Sequence, residues 1–121
     1  GEPLKVNGRE EKLDFSFVDD TASGICRVVN VGLPNETYNI TRGQGRTIYD
    51  AACCVSDIIG FGEVIVQDKD SKFPSRDALC IDKAREQLGY NPTTNLEEGL
   101  QIYYEWFKKF YNNVHWFTSA I

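Results

Sequence analysis

Apolar residues recur along this chain with two different periods. Ile48, Ala51, Ala52, Val55, Ile58 and Ile59 return every three or four positions, the spacing that builds one face of a helix. Thr47 stands before them as a cap, and Gly60 follows where a helix commonly ends left-handed. A longer helix is predicted from about Leu96 to Asn112. Leu96, Leu100, Tyr103, Phe107 and Phe110 form its apolar stripe, widened by Trp106 and Tyr111. Ala22, Ile25, Cys26 and Val29 predict another helix, with Asp19 and Asp20 placed as caps and dipole partners at its start. Strands show period two or β-branched runs: Pro3–Val6, Asp14–Val18, Thr37–Thr41 and Glu63–Gln67, with a short extended piece at Ala78–Cys80. Asn7-Gly8 marks a turn. The mixture predicts an α/β fold with short strands and about four helices.

Punctuation is densest between Arg76 and Leu100. Asp82 is placed to cap a short helix whose apolar side carries Ile81, Ala84 and Leu88. Gly89 is its expected stop, and Pro92 forbids continuation because it lacks an N–H. Thr94 with Glu97, or Asn95 with Glu98, makes a capping box for the last helix. Arg42–Arg46, RGQGR, is a glycine loop. Its bland reading is flexible linkage, and its sharper one is a set of backbone N–H groups for a phosphate.

Composition narrows the function classes. The 121 residues amount to one domain, long enough to bury roughly two-thirds of the unfolded surface. A net charge of −5 argues against nucleic acid and anionic membranes as partners. No apolar run approaches the ~18–20 residues of a membrane span, and the polar start has no signal-peptide pattern. Cys26, Cys53, Cys54 and Cys80 form no C-x-x-C pair, so free thiols in a reducing cytoplasm are expected and no metal site is. Asn35-Glu-Thr37 and Asn39-Ile-Thr41 match the glycosylation pattern and, without a secretory signal, read as chance.

Arg76, Lys83, Ala84, Leu88, Gly89, Tyr90, Pro92 and Leu96–Leu100 together resemble the C-terminal signature of NAD-dependent nucleotide-sugar epimerases and dehydratases, the extended short-chain dehydrogenase/reductase family. Asp14, Phe15, Val18, Asp19 and Asp20 match that family's DFxxVDD junction, and Tyr38–Ile40 its YNI segment. Cys80 departs from it, standing where the family has an aspartate. The resemblance covers most of residues 1–112 and implies a substrate-binding domain there, followed by a non-family apolar tail at 113–121.

The resemblance implies that this part of a relative holds the nucleotide end of a nucleotide-sugar. Arg76 matches an arginine that reaches the diphosphate or ribose, work that suits its planar fork. Phe15 matches an aromatic near the nucleotide. Many relatives carry a second phosphate-binding arginine where Leu13 stands here. Either that contact is lost or Lys12 beside it substitutes weakly. Relatives bind NAD through a glycine fingerprint and react through a Tyr-x-x-x-Lys pair. The fingerprint is absent from this sequence. Tyr104 and Lys108 have the second spacing, but on the last helix and away from the family's catalytic position. Catalytic residues, a cofactor in this chain and metal ligands are therefore none. The expected protein is a truncated, catalytically silent piece of such an enzyme; the alternative is a stand-alone binding or interaction module. Aromatic surface in the last helix and tail points to a homo-oligomer.

Overall fold

A computed structural model describes residues 2–72 and 74–111. The predicted tail at 113–121, with Asn112 and His115, lies outside the described residues. The elements in chain order are β1 (Leu4–Asn7), β2 (Lys12–Asp14), α1 (Val18–Val31), β3 (Gly45–Thr47), α2 (Ile48–Ile59), β4 (Val64–Gln67), α3 (Asp82–Leu88) and α4 (Leu96–Tyr111). The α/β class and the four helices among the described residues agree with the hydrophobic pattern.

The strands form two small ribbons. β1 and β4 run parallel, Leu4 opposite Val64 through Asn7 opposite Gln67. β2 and β3 run antiparallel, with Lys12 opposite Thr47 and Asp14 opposite Gly45. α2 packs across β1, β4 and α4. Its ends are the ones its sequence calls for: the Thr47 hydroxyl accepts from Asp50 N at 2.9 Å, and Gly60 is left-handed at φ 83°.

A second centre forms where α1 meets α3. Ile81, Ala84, Leu88 and Tyr90 are buried together, with Val28, Tyr38 and Ile40 packed against them. α3 stops at Gly89, which is left-handed at φ 63°. α4 begins with the Asn95 side chain accepting from Glu98 N at 2.8 Å, so of the two possible boxes Asn95 supplies the cap.

Several expectations are corrected. The DFSFV strand ends at Asp14, and helix begins at Val18, two residues after Ser16. Asp19 and Asp20 therefore sit inside the first turn of α1, where the cap position is Phe17 and makes no side-chain bond. Asp82 likewise is the first residue of α3, behind Ile81 at the cap position. Thr37–Thr41 and Ala78–Cys80 join no strand ladder among the described residues. Their alternation is still used: Tyr38 and Ile40 point to the core, while the Asn39 amide bridges the two segments by donating to Cys80 O at 2.9 Å.

The buried side of α1 also differs from the expected one. Ala22, Ile25, Cys26 and Val29 all face out, Val29 at 79% exposure. Gly24 decides this. A Cβ there would lie 2.4 Å from Ile40 Cγ2 and 2.9 Å from the Tyr90 ring, so the glycine lets the helix backbone approach the core.

Candidate functional site

A cavity of about 320 Å³ opens where β1, the start of β2, the start of α2 and the loop after β4 converge. Asn7, Glu11, Lys12, Leu13 and Ile48 form one wall, and Lys69, Asp70, Pro74 and Arg76 the other. Lys12 and Arg76, 64 positions apart in sequence, therefore meet at one site. Phe15 does not join them. It lines a separate apolar cleft of about 280 Å³ with Phe17, Val18, Leu96 and Tyr103.

Ion pairs hold the cavity walls together. The Glu11 carboxylate accepts from Lys69 Nζ at 3.0 Å and from Ser75 Oγ at 3.2 Å, fastening the loop to the segment before β2. The Lys69 bond holds the Glu11 carboxyl below its ordinary pKa, burial opposes this, and Ser75 assists. Lys12 Nζ lies 3.4 Å from Asp77 Oδ2. Arg76 is exposed and makes no ion pair among the described residues. Of the three cations lining the cavity, Lys12 and Lys69 are paired, and only Arg76 has no ion pair among the described residues.

The RGQGR loop is tied down instead of free to cradle a phosphate. Gly43 N donates to both Asp14 carboxylate oxygens at 3.1 Å, and Arg42 N donates to Ser16 Oγ at 2.9 Å. Arg42 also donates to Pro92 O. Gly45 leaves room for Asp77, since a Cβ there would fall 1.9 Å from Asp77 Oδ1. Gly43 and Gly45 serve close packing, the first against Ile81 and the second against Asp77.

Lys108 Nζ stands over the Tyr104 ring at 4.7 Å and pairs with Glu105 at 2.7 Å, while Tyr104 lines an apolar groove between α2 and α4. Burial and the Glu97 charge push the Cys54 thiol up, opposite to what a nucleophilic cysteine needs. Among the described residues no group of three or more His, Cys, Asp or Glu gathers as metal ligands. Nor is any of their helices long and apolar enough to cross a membrane.

No protein-family model matches the chain. Individual proteins do. A dTDP-glucose 4,6-dehydratase of Shigella flexneri is 26% identical over 132 aligned positions, covering 99% of this chain and 35% of the relative. A UDP-glucose 4-epimerase of Thermotoga maritima, solved with UDP-glucose, is 29% identical and superposes with a TM-score of 0.80 over 91% of this chain and 36% of that one. The Bordetella bronchiseptica enzyme WbmF, solved with NAD+ and UDP, is 32% identical with a TM-score of 0.75, over 92% and 32% of the two chains. Over nearly its whole length the chain is similar to NAD-dependent nucleotide-sugar epimerases and dehydratases. It spans about a third of the length of these relatives.

Against that epimerase/dehydratase background, the structure adds residues that the motif reading did not single out. Glu11, Lys69, Asp70 and Asp77 surround the two predicted cations. Their signal in the sequence was faint: the alternating charges of Asp68–Lys72 read as an ordinary polar loop. Asp14 and Asp20, matched as motif residues, turn out to clamp distant backbone. Asp14 also accepts from Leu79 N at 3.1 Å, and Asp20 accepts from Thr93 N and Thr94 N at 3.1 and 2.9 Å.

Proposed function

We propose that this chain is the substrate-binding portion of a nucleotide-sugar epimerase or dehydratase. Its cavity holds the nucleotide end, with Arg76 and Lys12 on the diphosphate. The observation that carries the reading is that Arg76, without an ion pair among the described residues, lines one cavity with Lys12, in a chain similar to a relative solved with UDP-glucose. A guanidinium facing solvent without a carboxylate is ready for a bidentate phosphate contact. Phe15, lining the separate apolar cleft, is assigned to the nucleotide and not to its phosphates.

The chain by itself neither binds NAD nor turns over a nucleotide-sugar on this reading. Support comes from the committed N–H groups of the RGQGR loop and from the placement of Lys108 on the ring face of Tyr104. The four cysteines are free, which suits a reducing compartment, and cytoplasmic residence is part of the proposal. A second reading, an interaction module, is favoured by the exposed apolar rows of α1 and α4.

Calorimetry and thermal shift with uridine, thymidine and guanosine diphosphates and their sugars test the first reading. Weak binding of one of them is expected, with no heat from NAD. Arg76→Ala should weaken that binding by a factor of ten or more, since one charge-assisted phosphate contact is worth about 1.5–3 kcal/mol. An unchanged affinity in the variant removes Arg76 from the site, and measurable NAD binding overturns the silent-fragment reading.

A further inference from the structure

Asp77 follows Arg76 directly, and its exposed carboxylate lies beside Lys12. Lys12 Nζ is 3.4 Å away, Ala78 N donates to Oδ1 at 2.8 Å, and Gly45 on β3 leaves the space the carboxylate fills. We propose that Asp77 is an internal anion that competes with a nucleoside diphosphate for Lys12 and so limits how tightly the cavity binds its ligand. The inference rests on the reading of this cavity as the nucleotide-end site.

The loop after β4 then offers opposite charges from neighbouring residues. Arg76 is left free for an incoming phosphate, while Asp77 occupies the second cation that phosphate needs. A diphosphate touching both Lys12 and Arg76 must come close to the Asp77 carboxylate, and like charges at such separations repel appreciably even near a surface. The pair is easy to open, because the two side chains are 43% and 64% exposed and such surface pairs contribute little. The backbone bond to Ala78 N holds the carboxylate in place whether or not Lys12 stays with it.

The test is a gain of binding, which misfolding does not mimic. Asp77→Asn keeps an oxygen for Ala78 N and nearly the same volume beside Gly45, but it releases Lys12. Titration of uridine diphosphate into the intact chain should then show tightening of about three- to tenfold, shrinking at high ionic strength. Uridine, which has no phosphate, should bind no better. Asp77→Glu, which keeps the charge, should give no gain, and neither should Asp57→Asn on the exposed face of α2. If wild type binds the diphosphate and Asp77→Asn binds it no tighter, the inference is overturned and the site reading stands. Equal tightening in Asp57→Asn reduces the effect to net charge and also overturns it. If neither wild type nor Asp77→Asn binds uridine, thymidine or guanosine diphosphate, the site reading falls, and this inference with it.

Discussion

Individual carboxylates do more long-range work in this protein than local rules assign them. Asp20 lies in the first turn of α1, where a helix dipole favours negative charge. Its oxygens reach 73 and 74 positions along the chain to Thr93 N and Thr94 N, tethering the segment that leads into α4. Burial raises the Asp20 carboxyl pKa, but the bonds from Thr94 and Thr93 and the nearby Arg42 charge more than offset it, so it titrates below its ordinary value. The folded state thus holds the proton more weakly than the unfolded chain. The stabilisation is present in full above the ordinary aspartate value and is lost as pH falls through the lower, folded one. Asp20→Ala should cost about 1.5–3 kcal/mol, towards the lower end because the site is only half-buried. Melting curves from neutral pH down through about pH 3 check both parts. Asp20→Asn should show a shallower acid decline than wild type, and parallel curves would remove Asp20 as an acid-sensitive tether.

At the scale of elements, α1 shows how a single small residue chooses a helix face. Its apolar residues lie on more than one side, so period alone does not select the side that packs. Close approach selects it: Gly24 sits against Ile40 and the Tyr90 ring at distances no side chain tolerates. Gly24→Ala should therefore destabilise despite alanine's better helix propensity, by about 1–3 kcal/mol as an overpacked contact. Urea unfolding checks it. Stability equal to or above wild type would mean that propensity outweighs packing here. The ends of α2 and α3 teach the opposite lesson. Thr47, Gly60 and Gly89 act through bonds to their own or adjacent turns, and each is where the sequence put it.

The described residues carry more apolar surface than their two small centres cover. On α1, Val18, Ile25 and Val29 are exposed; on α4, Tyr103, Trp106 and Phe110 are more than half exposed. The α4 rings lean on one another, with Trp106 stacked on Phe110 at 5.2 Å between centroids, which shields some of their area but not the row as a whole. Large exposed apolar patches usually mark an interface, and twofold dimers are the commonest assembly that covers one. Sedimentation at micromolar concentration should show a mass that rises with concentration. Trp106→Glu with Phe110→Glu should return it to monomer with the fold retained by circular dichroism. A wild-type mass that stays monomeric across the range would end this expectation.

What the sequence determined by itself was local and periodic. Helix positions, the α2 cap, two glycine stops, the α/β class and the likeness to nucleotide-sugar enzymes all rest on residues near one another in the chain, or on motifs read position by position. What tertiary structure decided was which side of α1 is buried, that Thr37–Thr41 lies extended without a ladder partner among the described residues, and that Asp82 leads its helix without capping it. It also decided which residues line the candidate site. Lys12, Arg76 and Asp77 come together because β2, β3 and the loop after β4 are folded onto one another, and a 65-residue separation leaves no periodic trace. Capping and amphipathic spacing act within a turn or two of backbone, so a sequence displays them. Electrostatic competition between side chains depends on distance in space, which only the folded chain supplies.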